Sequence, residues 1–109
     1  MWTEKVIHSF GSGTDATQPV AAVVFDGKGN LYGSASKGGN SACNNQGCGT
    51  IFELTPNGNR WTEKILHRFT GGTDGASPNS TPILRNSRLF GVTSEGGANG
   101  KGVVFELTL

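Results

Sequence analysis

Residues 2–10 read Trp-Thr-Glu-Lys-Val-Ile-His-Ser-Phe, and residues 61–69 read Trp-Thr-Glu-Lys-Ile-Leu-His-Arg-Phe. The match between the two stretches continues into Gly-Thr-Asp at residues 13–15 and 72–74. Two further pairs of segments match, which are residues 31–33 with 89–91 and residues 49–55 with 102–108. The chain therefore consists of two copies of one unit. Such internal self-similarity indicates a repeat architecture.

Each unit has the pattern of four short strands. Residues 2–10 alternate in the way of a partly exposed strand. One face of this segment carries Trp2, Glu4, Val6, His8 and Phe10. Residues 20–25 and 49–54 are nearly continuous apolar runs, which are typical of strands covered on both faces. Residues 30–36 lie between these runs, and turn signals such as Asn57-Gly58 separate the strands. Because no segment shows a sustained helical period, we predict an all-β fold.

Four antiparallel strands in a repeated unit predict the blades of a β-propeller, with a solenoid or a sandwich as the alternative. Residues 20–69 would form one complete four-stranded blade, from inner strand to outer strand, within a single repeat domain spanning residues 1–109. Residues 79–109 would form a second blade that lacks its outer strand. Pro82 falls inside the inner strand of that blade, which suits an edge strand lining a central channel.

The two ends of the chain are complementary, because residues 2–10 are an outer strand without a blade. We expect this segment to complete the second blade of a neighbouring chain, since an unpaired apolar strand edge favours pairing with another chain. Such head-to-tail contacts produce a closed ring or an open fibre. Two blades in each chain exclude an odd-bladed ring, and a trimer is favoured over a tetramer. A monomer with frayed ends is the alternative.

Four motifs resemble those of the GloVer tandem repeats, and together they cover nearly the whole chain. They are Phe69 to Pro78, Gly29 to Gly33, Ser94 to Gly102 and Val104 to Thr108. GloVer repeats occur in large bacterial proteins predicted to be exported and held at the cell surface. The resemblance implies a propeller-like repeat in an extracellular setting. It brings no catalytic residues, because none is established for the family.

Cys43 and Cys48 lie in a polar loop without a nearby histidine or a second cysteine pair, which argues against a structural zinc site. We predict a disulfide between them, with two free thiols as the alternative. A disulfide indicates an oxidising compartment, so we expect a secreted or cell-surface protein.

Composition argues against several classes of partner. The 109 residues carry a net charge of +1 without a cluster of Lys or Arg, so we expect no nucleic-acid partner. Membrane insertion is not expected either, because the chain has no apolar run of about 18 residues.

Most candidate chemical groups recur at matching repeat positions, which favours structural roles. We interpret His8 and His67 as packing residues rather than as metal ligands or catalytic groups. Asp15 and Asp74 suit side-chain bonds within turns. The recurring glutamates, Glu53 and Glu106, lie in apolar strands and need hydrogen-bonded partners there. We therefore predict no catalytic residue, no metal site and no cofactor.

In a blade of this topology the long polar loops emerge on one side of the disc, and function on repeat scaffolds tends to lie on such a loop face. A glycan or another polar ligand is the candidate ligand there. The predicted ligand-binding residues are Asp15, Asn40, Asn44, Asn45, Gln46, Asp74, Glu95 and Asn99. The function we expect is that of a non-enzymatic structural or binding module that assembles with itself. The alternatives are a lectin-like carbohydrate-binding propeller and an enzyme with its active site in the assembled central channel.

Overall fold

The computed structural model describes residues 2–11 and 14–109, and within these ranges the chain is all-β apart from one four-residue helical turn. Cys43 and Asn44 in this turn have left-handed backbone angles, with φ of 53° and 62°, so the turn is not a regular α-helix. Gly13, the first residue of one Gly-Thr-Asp motif, lies outside the described residues. In these ranges no helix has the length and apolar character needed to cross a membrane. The elements are β1 (Ala16–Phe25), β2 (Leu31–Gly38), α1 (Ala42–Asn45), β3 (Thr50–Asn57), β4 (Arg60–Arg68), β5 (Ala76–Pro78), β6 (Ile83–Arg85), β7 (Arg88–Glu95) and β8 (Val103–Thr108).

The first sheet has four antiparallel strands in the order β1-β2-β3-β4, which confirms the prediction of four strands in this unit. The β1–β2 turn is held by Asp26, whose Oδ1 accepts hydrogen bonds from the amides of Lys28 at 2.7 Å and Asn30 at 3.0 Å. Gly58, with a φ of 63°, forms the predicted Asn-Gly turn between β3 and β4.

The second sheet differs from the first at its inner strand. We predicted one continuous strand, but two short strands, β5 and β6, pair with β7, and β8 pairs with the other edge of β7. Pro82 lies between β5 and β6. The ladder is interrupted there because proline has no amide hydrogen to donate. The side chain of Pro82 is buried. The break also contacts the first sheet, where Thr81 Oγ1 accepts from the Ala22 amide at 2.9 Å and Ser80 O accepts from Ser34 Oγ at 3.0 Å.

Two apolar clusters stabilise the molecule. The first lies between the two sheets and includes Tyr32, Ile51, Phe69 and Leu89. The second lies on the opposite face of the first sheet and is built around Phe52. Because both faces of β3 contact a cluster, residues 50–54 of this strand are buried or half-buried, as its apolar sequence predicts, whereas residues 55–57 are exposed.

The inner strand β1 does not follow that prediction. Most of its residues are exposed to solvent, including Val23, which is 44% exposed, and Phe25, which is 64% exposed. The expectation of a strand covered on both faces is therefore wrong for β1. The physical reason is position: within the part of the chain that the structure describes, β1 is an edge strand that pairs only with β2. Its ladder also changes register between Val20 and Val24.

A β-bulge interrupts the alternation of β4. The register shifts between Phe52, which faces Ile65, and Ile51, which faces His67, so Leu66 is the additional residue. As a result Ile65 packs against the second cluster and Leu66 against the first. The simple alternation that we expected for this repeated motif is therefore wrong beyond Ile65.

Residues 2–10 form no strand ladder with any residue that the structure describes, although their sequence predicts a strand. A ladder needs a neighbouring strand, and none of the described residues supplies one. The segment still packs on the first sheet, where Ile7 and Phe10 contact the second cluster. Trp2 at 100% and Val6 at 69% remain exposed.

Candidate functional site

The long polar loops meet at one end of the molecule, where the sequence predicted a shared loop face. The Gly38 amide donates to Gln46 O at 2.7 Å, and the Ser77 amide donates to Cys48 O at 2.7 Å. The Gly97 amide donates to Gly72 O at 2.8 Å, which joins the last long loop to the others. These backbone bonds form a continuous chain of contacts across both repeats.

Cys43 and Cys48 form the predicted disulfide, with Cα atoms 5.3 Å apart. Cys48 is fully buried within the cluster between the sheets, whereas Cys43 is exposed in α1. Gly71, with a φ of 84°, packs so closely that an added Cβ would lie 3.2 Å from both sulfur atoms. The disulfide therefore anchors the cysteine loop to the loop of the second repeat.

A groove of about 570 Å³ opens in the loop face. Three of the predicted ligand-binding residues line it: Asn40, Asn45 and Gln46. Asn40 is partly committed to the fold, because its Nδ2 donates to Phe69 O at 2.9 Å and its Oδ1 accepts from the Ala42 amide at 3.0 Å. The other lining residues are Thr14, Thr17, Gly38 and Ser41.

The remaining predicted ligand-binding residues are not brought into this groove. Asn44 is exposed next to it in α1, and Asn99 is exposed in the loop between β7 and β8. Glu95 accepts a hydrogen bond from Ser77 Oγ at 3.1 Å. Asp15 and Asp74 lie beside histidines instead, so the eight residues do not form one site.

Asp74 has the turn role that the sequence predicted for it. Its carboxylate accepts a hydrogen bond from the Thr70 amide at 3.0 Å and another from the Thr70 hydroxyl, and it lies 3.0 Å from His67 Nε2. Burial opposes ionisation of this group, but the bonds from Thr70 and His67 outweigh burial and lower the pKa of Asp74.

The equivalent position in the first repeat is a three-residue cluster of His8, Asp15 and Glu63. His8 Nε2 lies 3.3 Å from Glu63 Oε1. The oxygens of Asp15 accept from the amides of Gly11 at 2.6 Å and Ala16 at 2.7 Å. Burial and the neighbouring Asp15 carboxylate raise the pKa of Glu63 to about 7. Burial also disfavours the Asp15 carboxylate, but hydrogen bonds from Glu63 and the two amides lower the pKa of Asp15.

Sequence reasoning placed His8 and Asp15 in separate structural roles and did not consider Glu63. A signal was present, because Glu4 and His8 in one repeat and Glu63 and His67 in the other have the same spacing. The cluster nevertheless joins His8 to the glutamate of the other repeat. Predicting it would have required knowledge that residues 2–10 pack against the outer strand β4.

Another cluster of titratable groups links the β1–β2 turn to the strands β2 and β3. The Tyr32 hydroxyl lies 2.9 Å from Glu53 Oε2 and 3.1 Å from Asp26 Oδ2, so Glu53 has the hydrogen-bonded partner that its position requires. Bonds from the Asn30 side chain and from nearby amides lower the pKa of Asp26 to about 2. Burial and both carboxylates raise the pKa of Tyr32. In the second repeat, Glu106 pairs instead with Arg88 at 3.2 Å.

A cleft of about 380 Å³ lies beside β8, on the side of the second sheet that faces the first sheet. Among the described residues, β8 pairs only with β7, whereas its counterpart β3 pairs with both β2 and β4. The cleft is lined by Ile51, His67, Phe69, Thr73, Asp74 and residues 103–107. It therefore combines an apolar floor, the His67–Asp74 pair and an open strand edge.

Comparison with known proteins identifies the kind of chain that carries these features. A family model described as Gloeobacter/Verrucomicrobia repeat matches residues 2–109. The chain belongs to this repeat family, which confirms the resemblance seen in the sequence. Comparisons with curated proteins and with solved structures gave no match.

Proposed function

We propose that the chain is a non-enzymatic structural module of an extracellular bacterial repeat protein, which assembles head to tail by strand donation into a propeller ring. Residues 2–10 of one copy would serve as the outer strand on β8 of the next copy. Membership of a repeat family and the disulfide between Cys43 and Cys48 support this function and setting. The observation that carries the proposal is the different environment of two equivalent segments, residues 2–10 and β4.

The inward side of residues 2–10 already matches its repeat counterpart. Phe10 packs edge to face on Phe52 with ring centroids 5.0 Å apart, and Phe69 packs on Phe105 in the same way at 5.4 Å. His8 lies 4.7 Å from Phe10, measured between ring centroids. The contact between residues 2–10 and the first sheet is therefore equivalent to the contact that the end of β4 and Phe69 make with the second sheet.

The outward side of the same segment has no such match. Trp61 and Ile65 of β4 pack against the second apolar cluster, whereas their counterparts Trp2 and Val6 are exposed. Burying a side chain of this size contributes about 1.5 to 3 kcal/mol or more. A second copy offers a matching surface, because the cleft beside β8 occupies the position that Trp61 and Ile65 fill in the first repeat.

The repeat also predicts the register of the donated strand. β3 pairs with β4 such that Phe52 faces Ile65 and Glu53 faces Lys64. Transferring this register to the second copy places Val6 opposite Phe105 and Lys5 opposite Glu106. Opposite charges at facing positions stabilise an antiparallel pair, so the charges favour this register.

Intermolecular cross-linking tests the proposed register. Chains with Lys5→Cys are mixed with chains carrying Glu106→Cys, and disulfide formation is followed on non-reducing gels. Facing residues in an antiparallel pair have Cα atoms about 4.5 to 5.5 Å apart, within the range a disulfide requires. We expect rapid formation of the cross-linked heterodimer.

The matched control pairs Lys5→Cys with Thr108→Cys, which lies two residues away on the same side of β8. This mixture should cross-link much more slowly. Equal rates in the two mixtures, or no cross-link in either, would contradict strand donation in this register.

The number of chains in a closed ring follows from the number of blades in each chain. Two blades in each copy give a six-bladed ring from three chains, which we favour over an eight-bladed ring from four chains or an open fibre. Native mass spectrometry of the assembled protein distinguishes these states by mass.

The groove in the loop face supports a second candidate function, which is binding of a glycan or another polar ligand. The side chains of Asn45 and Gln46 line this groove and are exposed. Repetition in a ring would raise the avidity of a weak site. A glycan array tests this function: binding that Asn45→Ala abolishes and Asn99→Ala leaves unchanged would support it, and an absence of binding would contradict it.

A further inference from the structure

Three side chains from separate parts of the chain converge where residues 2–10 meet the first sheet. His8 belongs to the N-terminal segment, Asp15 precedes β1, and Glu63 lies on β4. One ligand atom from each, an imidazole nitrogen and two carboxylate oxygens, lies within 4.8 Å of the other two. This cluster is separate from the loop-face groove and from the edge of β8.

Two buried polar atoms of this cluster make no hydrogen bond to any of the described residues. They are His8 Nε2 and Glu63 Oε2, and the former lies 3.3 Å from Glu63 Oε1 without the geometry of a hydrogen bond. The two side chains are only 18% and 15% exposed. A buried polar atom without a partner costs about 1 to 3 kcal/mol and calls for a specific explanation.

We propose that His8, Asp15 and Glu63 bind a divalent transition-metal ion, of which Zn²⁺ is the representative. Imidazole nitrogen and carboxylate oxygen are established zinc ligands, and three protein ligands leave a further position for water. One ion would give the two unpartnered atoms a common partner.

Binding one ion requires the three ligand atoms, which lie within 4.8 Å of one another, to move closer together. Zinc–ligand distances of about 2.0 to 2.2 Å place the ligand atoms of a tetrahedral site about 3.4 Å apart. His8 Nε2 and Glu63 Oε1 are already 3.3 Å apart. The amides of Gly11 and Ala16 hold the Asp15 carboxylate in place, in the manner of groups that orient metal ligands. A bound ion would fasten the N-terminal segment to the outer strand of the first blade.

The repeat contains a second, incomplete copy of this cluster. His67 and Asp74 match His8 and Asp15, and they lie 3.0 Å apart. The residue that matches Glu63 is Glu4, which is distant from this pair in sequence. If residues 2–10 pair with β8 of another copy, Glu4 of the second copy would complete the site. This second site rests on the proposed function, whereas the first site does not.

Isothermal titration of the full chain with Zn²⁺ tests the proposal, after removal of metal with a chelator. We expect saturable binding of one ion per chain at dilutions where the protein is monomeric. Removing a residue that only orients a metal ligand typically lowers affinity 10- to 100-fold, so Glu63→Gln should lower it by at least about 100-fold. The matched control is Glu95→Gln, which removes an exposed carboxylate outside the cluster and should leave the affinity unchanged.

Two further measurements keep the result interpretable. Co²⁺ substitution should give visible absorption bands in the unaltered chain that disappear in His8→Gln, and circular dichroism checks that each variant is folded. If Glu63→Gln does not fold, the result for His8→Gln decides. An absence of Zn²⁺ binding, or equal binding by a folded cluster variant and by Glu95→Gln, would overturn the proposal.

The stoichiometry separates this proposal from strand donation. At concentrations where the protein assembles, we expect two ions per chain, and Glu4→Gln should reduce this number to one. A value of one at every concentration, lost in the His8→Gln variant, would support the first site and contradict its completion by a second copy.

Discussion

The two equivalent tryptophans provide a quantitative test of strand donation. Trp61 is more than half buried on the second apolar cluster, whereas Trp2 is 100% exposed in the single chain. With roughly 120 Å² of buried tryptophan surface and about 25 cal/mol per Å², Trp61→Ala should lower the free energy of unfolding by about 3 kcal/mol. In dilute solution, Trp2→Ala should change it by less than about 0.5 kcal/mol.

Association between copies should depend strongly on Trp2, in contrast to the stability of the single chain. If Trp2 takes the place beside β8 that Trp61 has on the first sheet, Trp2→Ala removes about 3 kcal/mol from each contact between copies. For a single contact, this energy corresponds to an increase of about 150-fold in the dissociation constant. Urea unfolding at low concentration measures the first quantity, and sedimentation equilibrium measures the second.

Two results would contradict burial of Trp2 between copies. A loss of stability in the dilute Trp2→Ala chain equal to that of Trp61→Ala would show that Trp2 is buried within its own chain. An unchanged dissociation constant would show that Trp2 takes no part in association.

Three further predictions concern the single chain. Cys43→Ser should lower stability by about 2 kcal/mol, the entropy of a short closed loop, and loosen only that loop, so global unfolding in nuclear magnetic resonance spectra would contradict it. Asp26 has a pKa lowered to about 2, so its contribution is complete above its usual pKa of 3.8 and is lost as the pH falls through 2; Asp26→Asn should flatten the stability curve in this acid range. Gly33→Ala should cost about 1 to 3 kcal/mol, because the new Cβ would lie 2.6 Å from the Phe52 ring, whereas the Gly27→Ala control meets no atom within 4 Å and should be nearly neutral in thermal melts.

Much of the fold was predictable because the chain contains two copies of one unit, whose sequences can be aligned with each other. Matching segments around Trp2 and Trp61 separated strands from loops, since length changes are tolerated in loops. The Cys43–Cys48 disulfide was predictable from spacing and from the lack of other ligands nearby. These inferences depend on local sequence alone.

The errors arose where tertiary contacts override local pattern. Residues 79–82 read as part of a strand, but they leave the ladder to contact the first sheet through Ser80 and Thr81. The sequence gives no sign of the bulge at Leu66. Apolar clusters lie on both faces of the first sheet, so an apolar residue at this position is compatible with either face. The predicted loop-face residues were selected by polarity, and polarity alone does not distinguish Asn45 in a groove from Asp74 in a turn.

Assembly by strand donation is tested by the mass of the full chain in solution as a function of concentration. Sedimentation velocity from about 0.1 to 100 μM should show a discrete oligomer, with three chains favoured, that dissociates on dilution. Val6→Pro removes a backbone donor from the donated strand, at a residue that has no ladder partner within the described chain. This variant should remain a folded monomer throughout. A full chain that stays monomeric at every concentration, or a Val6→Pro variant that forms the same oligomer, would contradict assembly by strand donation.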